Sequence, residues 1–271
     1  MNRRDFLIGA ASGASAAVAL GAAGRALSVQ PAGAPAVPPR TGRTFSDPEP
    51  LFQGRRSFAQ QGEDLILYNL LCHDLNLPAP SYLDVGAGDP VLSNNTYALY
   101  LTGCRGVLVE PNPALVRKLE AVRPGDVVLG CGVGLEEAAD ADYYVIRGRW
   151  PLNTFSVETV AEYRRQSVAD PVEKVIKMPL IPINRLMADC FGGAPDLLSI
   201  DIEGLDLAVL RTLDFRAHRP AAICAETKKP GMSHDSTPVA QFLRGKCYVA
   251  CAGSLYNTIF VDRMRLEARR G

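Results

Sequence analysis

The sequence predicts an α/β fold: a mostly parallel sheet covered by helices on both faces and finished by an antiparallel strand pair. Three observations predict it. From Phe52 onward, short apolar strand segments alternate with helical ones. A glycine-rich turn and several acidic residues follow strand segments on the carboxyl side, where sheets of this kind bind ligands. The last two strand segments are joined by a link too short for a parallel crossover.

The elements run as follows. Leu65 to Leu71 is an apolar helical run, with Gly62, Glu63 and Asp64 at its start, where acidic residues suit the positive helix end. Ser81–Val85 is a strand, and Tyr97–Leu101 a helix. Gly106–Glu110 is a second strand; Asn112 and Pro113 then form an N-cap and first-turn pair for a helix through Val122. Val127–Leu129 and Ala141–Ile146 have strand composition. Val157–Arg165 reads as helix, and Asn184 is the expected cap of another ending at Cys190. Leu197–Asp201 is a buried strand, Leu205–Leu213 a helix, Ala221–Glu226 a strand and Pro238–Arg244 a helix. Tyr248–Ala252 and Asn257–Val261 are the closing pair. No internal repeat and no second domain are visible.

Composition narrows the function classes. Apolar residues make up 47% of 271 and charged residues 21%, which excludes disorder for most of the length. Lys plus Arg and Asp plus Glu are 29 each, so no excess positive charge favours nucleic acid or an anionic membrane. No long apolar run follows the first thirty residues, so the body is not a membrane bundle. Seven cysteines without C-x-x-C spacing and three histidines give no zinc pattern, and no metal site is expected. Cys247 and Cys251 would lie roughly 13 Å apart on one strand face, too far for a disulfide. The remaining cysteines sit in apolar contexts and read as small core residues.

The start of the chain differs from the rest. Arg3 and Arg4 precede Asp5, Phe6 and Leu7, then an Ala/Gly/Ser-rich stretch. Residues 1–27 have the order of a twin-arginine-type export signal, which implies a periplasmic or membrane-associated protein. The alternative is a cytoplasmic protein with an unprocessed N-terminal extension. Residues 28–50 are a Pro/Ala/Gly-rich linker, and 51–271 the expected domain.

The first glycine turn is Leu83-Asp84-Val85-Gly86-Ala87-Gly88-Asp89-Pro90. A dinucleotide fingerprint needs a third glycine opening directly into a helix, and here Pro90-Val91-Leu92-Ser93 intervenes. An acidic residue before the first glycine repels pyrophosphate and suits a cationic ligand. Glu110 ends the second strand 22 residues after Gly88, where a carboxylate accepts both ribose hydroxyls. Together these point to an adenosine-bearing cofactor with a positive tail, such as S-adenosyl-L-methionine. A glycine pair after a strand is also often only a turn.

Five segments in order resemble the FkbM family of S-adenosylmethionine-dependent methyltransferases. They are S-F-A-Q-Q-G-E-D-L-I-L (Ser57–Leu67), Y-L-D-V-G-A-G-D-P-V-L-S-N-N-T (Tyr82–Thr96), G-V-L-V-E-P-N-P (Gly106–Pro113), L-L-S-I-D-I-E-G (Leu197–Gly204) and R-P-A-A-I-C-A-E (Arg219–Glu226). The resemblance implies a Rossmann-like class I methyltransferase fold and methyl transfer to a hydroxyl of a sugar or secondary-metabolite-type small molecule. It implies a cofactor site made by Asp84, Gly86, Ala87, Gly88, Asn95, Glu110, Pro111, Asn112 and Cys131. Gln60, Glu63 and Asp64 are candidates for closing over that site. After the third strand the family commonly carries a polar residue near the adenine; here Gly130-Cys131-Gly132-Val133-Gly134 stands instead, leaving backbone groups or a weaker contact. An export signal also fits poorly with a cytosolic donor, so an exported binding or scaffold protein that kept the fold and lost turnover is the second reading. A nicotinamide enzyme is the third, opposed by the missing glycine.

Methyl transfer to an alcohol needs alignment and a general base. Asp201, at the end of a central strand, is the first candidate, with Glu203 two residues on and His234 in the loop after the next strand. Each has a plainer role open to it: orienting the cofactor, capping a helix, or facing solvent. Lys228 and Lys229 read as a solvated pair, or else as a site for an anionic acceptor such as a sugar phosphate, and Trp150 with Phe155 as either a stacking lid or a packed loop anchor.

Overall fold

The computed structural model describes residues 56–227 and 236–268. The arginine pair, the Pro/Ala/Gly tract, Lys228, Lys229 and His234 lie outside these residues.

Seven strands form the main sheet: β1 (Tyr82–Val85), β2 (Gly106–Val109), β3 (Val127–Leu129), β7 (Leu197–Ile200), β8 (Ala222–Glu226), β9 (Tyr248–Gly253) and β10 (Asn257–Asp262). Their order is β3-β2-β1-β7-β8-β10-β9. The first five are mutually parallel, and β10 runs antiparallel to both β8 and β9. β1, β2 and β7 are buried at every position, as parallel strands covered on both faces must be. Leu67, Leu71, Tyr82, Leu99, Leu108 and Leu119 belong to one core cluster on this sheet.

Helices fall where local chemistry starts them. The first, α1 (Glu63–Tyr68), continues directly into a π-helical turn over Asn69–Asp74. α2 is Tyr97–Leu101. Asn112 caps α3 (Pro113–Val122) by accepting the Ala114 N–H at 3.0 Å, with Pro113 in the first turn, as expected. Ser156 caps α4 (Val157–Gln166) through the Thr159 N–H at 3.0 Å. α5 (Ile183–Phe191) and α6 (Asp206–Thr212) flank β7, and α7 (Pro238–Gly245) is capped by Thr237. α8 (Arg263–Glu267) follows the last strand.

Two features differ from expectation. Between β3 and β7 the chain builds a second sheet, β4 (Gly132–Gly134), β6 (Val172–Pro182) and β5 (Ala138–Ile146), in the order β4-β6-β5. Only β5 was foreseen; β6 is half exposed and carries Glu173, Lys174, Lys177 and two prolines, so its strand signal is weak. Asn184 does not cap α5. It lies inside the helix, donating Nδ2–H to the Thr212 carbonyl and accepting the Asp214 N–H through Oδ1, both at 2.8 Å. It thereby ties α5 to the end of α6. All seven cysteines are free; five are buried, and Cys247 and Cys251 are exposed.

Candidate functional site

Parallel register lines up the strand ends. Val85 pairs with Val109 and with Ile200, Val109 pairs with Leu129, and Ile200 pairs with Ala225. The next residues, Gly86, Glu110, Gly130, Asp201 and Glu226, therefore leave the sheet at one level. Gly86 and Gly88 hold φ of 80° and 62°, the left-handed region that favours glycine. A Cβ on Gly86 would overlap the main-chain carbonyl of Asp201. The turn thus passes against the end of β7, and the Gly86 and Ala87 amides donate to the Val109 carbonyl at 2.9 and 3.1 Å.

Glu110 is buried beside this turn. Its Oε2 accepts the Gly88 N–H at 2.9 Å and its Oε1 accepts the Asn112 N–H at 2.7 Å. Burial pushes its carboxyl up to about 7, against the pull of those two hydrogen bonds. Each oxygen keeps a lone pair for a further donor.

A cleft opens along the row. Gly86, Gly88, Glu110, Pro111 and Cys131 line one side. The opposite wall comes from the second sheet and its following loop: Tyr143, Asn153, Thr154 and Phe155. The Tyr143 and Phe155 rings stand 4.7 Å apart between centroids. Gly132 lies so close to the Phe155 ring that a Cβ there would overlap it. That packing accounts for the small residues after β3, which leave room for an aromatic wall rather than supplying a polar contact themselves.

The other end of the cleft is acidic, with Asp201 and Glu203 in its lining. Glu203 has φ of 53° and Gly204 93°. This strained turn is held by the buried Asp206, which accepts the Ile202 and Gly204 N–H groups at 3.2 and 3.3 Å. Burial lifts the Asp201 carboxyl to about 6, with Asp84 adding to it. Burial, Asp201 and Glu226 lift Glu203 to about 8. Glu226 is lifted to about 7 by burial and Asp201. No Lys, Arg or His is among the described lining residues. Among the described residues, no group of three or more His, Cys, Asp or Glu is arranged to hold a metal ion.

Of the sequence-predicted residues, Gly86, Gly88, Glu110, Pro111, Cys131, Asp201 and Glu203 meet in the cleft. Others are not in its lining. Asp84 is buried and accepts the Thr96 hydroxyl at 2.7 Å, and burial raises its carboxyl. Ala87 is buried, with its carbonyl accepting Asn94 Nδ2–H at 3.0 Å. Asn95 reaches the Ser199 hydroxyl at 3.4 Å, and Asn112 is the α3 cap. Glu63 accepts the Gln61 N–H at 2.8 Å, Asn257 Nδ2–H at 3.2 Å and the Ser254 hydroxyl. Asp64 accepts the Ser57 hydroxyl at 2.6 Å and the Phe58 N–H at 2.7 Å. These two fasten the N-terminal segment to itself and to the β9–β10 turn; Gln60 beside them is exposed. Tyr143, Asn153 and Thr154 line the cleft without having been singled out beforehand.

A seven-stranded sheet with this order and a reversed closing pair is the Rossmann-like class I methyltransferase fold. The residues fit S-adenosylmethionine: a carboxylate with free lone pairs stands at the second strand end, and an acidic lining without a described cation suits a ligand bearing a sulfonium and an ammonium. The sequence matches the Methyltransferase FkbM domain over residues 84–249, more than half its length, and the chain belongs to that family. Its family and fold are those of S-adenosylmethionine-dependent methyltransferases. No curated protein matches the sequence. Among solved structures it is similar to the T. thermophilus 16S rRNA N2 G1207 methyltransferase bound to AdoMet and guanosine. That match has 15% identity, 78% of this chain, 44% of that one and a TM-score of 0.39. It is also similar to a TehB-like SAM-dependent methyltransferase from Corynebacterium glutamicum, at 13% identity, 75% and 88% coverage and a TM-score of 0.35. A third is the Burkholderia thailandensis 1,6-didemethyltoxoflavin-N1-methyltransferase with S-adenosylhomocysteine, at 12% identity, 74% and 77% coverage and a TM-score of 0.36. The chain spans less than half the length of the first of these.

Proposed function

We propose that the protein transfers a methyl group to a hydroxyl oxygen of an uncharged small molecule of the sugar or secondary-metabolite type. The observation that carries this is the position of Asp201 and Glu203 in the same cleft as the Gly86–Gly88 turn and Glu110. S-adenosylmethionine, when bound, supplies a methyl group already activated on a sulfonium. Glu110 holds the ribose hydroxyls through its free lone pairs, and the Gly86–Gly88 backbone admits the cofactor closely. Pro111 and Cys131 form the wall on that side.

The acceptor end follows from charge. Asp201, ionised above about pH 6, repels a phosphate or carboxylate, which disfavours an RNA or sugar-phosphate acceptor and leaves a neutral hydroxyl compound. A hydroxyl must lose its proton as the new bond forms. Glu203, lifted to about 8, is a base of matched strength near neutral pH, and the Asp206 clamp fixes its backbone. Asp201 is the second base, and His234 stands outside the described residues.

The test is S-adenosylhomocysteine release in a panel of neutral sugars and phenolic or polyketide alcohols, run beside calorimetry. Glu203→Gln is expected to lower turnover by about 10²- to 10⁴-fold while leaving S-adenosylhomocysteine affinity within about threefold. Full turnover in that variant would remove Glu203 as the base. A preference for anionic acceptors would overturn the acceptor class.

A further inference from the structure

Asn153 sits in the wall built by the second sheet, 8% exposed. Its Oδ1 accepts the Ile146 N–H at 2.8 Å. That bond fixes the amide orientation, because only the oxygen can accept it. Its Nδ2 is therefore the free end, and that buried nitrogen has no hydrogen-bond partner. The nearest polar group is the Tyr143 hydroxyl, which takes at most one of the two Nδ2 hydrogens. A buried amide N–H left unpaired is costly, so the remaining hydrogen calls for a ligand acceptor.

Its place says which part of a ligand that partner is. Tyr143 lies within electrostatic reach of Glu110, and Phe155, two residues after Asn153, packs over Gly132 beside β3. Asn153 thus belongs to the β2–β3 end of the cleft, beyond the ribose carboxylate and away from Asp201 and Glu203. The group of S-adenosylmethionine past the ribose is the adenine, whose ring nitrogens are acceptors. We infer that Asn153 recognises the cofactor's base by donating Nδ2–H to one adenine ring nitrogen, while Tyr143 and Phe155 wall in the ring. This rests on the S-adenosylmethionine reading of the cleft. The Gly130–Gly134 stretch contributes space, and the polar contact comes instead from the loop before α4.

The test is calorimetric titration of the full chain with S-adenosylhomocysteine and its 1-deaza, 3-deaza and 7-deaza analogues, each missing one acceptor nitrogen. Wild type is expected to bind one analogue about tenfold more weakly than S-adenosylhomocysteine and the other two about equally. In Asn153→Ala, affinity for S-adenosylhomocysteine falls about tenfold and the discrimination disappears. Asn153→Ser, which keeps a short acceptor near Ile146, gives the same result should the alanine variant melt early. Equal binding of all four ligands to wild type would overturn the inference, as would discrimination that persists in Asn153→Ala, the mark of backbone reading. Failure of wild type to bind S-adenosylhomocysteine at all would instead overturn the cofactor reading beneath it.

Discussion

The Glu110 carboxylate accepts the Gly88 amide at 2.9 Å, so the residue ending β2 is bonded to the turn that ends β1. One side chain thereby shapes the glycine turn and presents its remaining lone pairs to the cleft. Glu110→Gln keeps the volume but turns one acceptor into a donor facing an N–H. Affinity for S-adenosylhomocysteine is expected to fall about 10- to 100-fold, the worth of a hydrogen bond to a charged group. Calorimetry reads this directly, and unchanged affinity would detach Glu110 from the cofactor.

The same carboxyl makes binding pH-dependent. A ribose hydroxyl donates to the ionised form, and burial has lifted Glu110 to about 7. Affinity is therefore expected to rise with pH through about 7 and then level off. In Glu110→Gln that rise is reduced, leaving the part that comes from the acidic end of the cleft. Titrations between pH 5.5 and 8.5, taken from about 1.5 units either side of the midpoint, check the sign.

Gly86→Ala is predicted to be far costlier than Gly192→Ala, although both glycines have positive φ, 80° and 63°. At Gly192 a Cβ meets nothing within 4 Å, so only backbone strain of about 1 to 2 kcal/mol applies. At Gly86 the Cβ runs into the Asp201 carbonyl, which is main chain and cannot swing away. The expected loss there is about 3 kcal/mol or more. Paired urea denaturation curves measure the difference.

Those two glycines show what was legible beforehand. Gly86, Gly88 and Glu110 stand at strand ends, so their meeting follows from parallel register, and alternating apolar segments announce that register. Asp201 and Glu203 were found the same way. Tyr143 and Asn153 were not, and Phe155 was singled out only as a stacking lid or a loop anchor, because the wall depends on a second sheet whose members carry poor strand signals. β4 is three residues with two glycines, and β6 sets three charges and two prolines among mostly half-buried apolar residues. Asp84 shows a limit of the other kind. Its place before the glycine suggests a cation partner in the ligand, and what the structure shows is its carboxylate accepting the Thr96 hydroxyl. Sequence order places a residue at a strand end without saying which face its side chain takes.

Behind that face lies Arg123, fully buried. It donates to Asp126 at 2.8 Å and to Asn94, Tyr82 and Thr96, each at 3.0 Å. Thr96 in turn holds Asp84, so the guanidinium joins the end of α3 to the loop after the glycine turn. Arg123→Leu leaves Asp126 and Asp84 buried without their cation, and the expected loss is about 3 to 5 kcal/mol. Arg123→Lys offers one nitrogen where four partners are spread around a planar fork, so it recovers little. A denaturation midpoint for Arg123→Lys matching wild type would show that charge alone suffices there.

The acidic end of the cleft sets how stability varies with pH. Asp201, Glu203 and Glu226 are lifted to about 6, 8 and 7, all above their unfolded values. Groups raised this way bind more protons in the folded state than in the unfolded one. The stability they contribute is full below about pH 4 and is lost as pH rises through about 6 to 8. The apo protein is expected to melt at a lower temperature at pH 8.5 than at pH 5.5. S-adenosylmethionine, whose methionine end carries a sulfonium and an ammonium, should restore more of the melting temperature at the higher pH, where these carboxylates are ionised. S-adenosylhomocysteine, lacking the sulfonium charge, should restore less. Melting curves with each ligand at both pH values separate the two effects, and equal stabilisation by both ligands at pH 8.5 would mean the acidic end does not face the sulfonium.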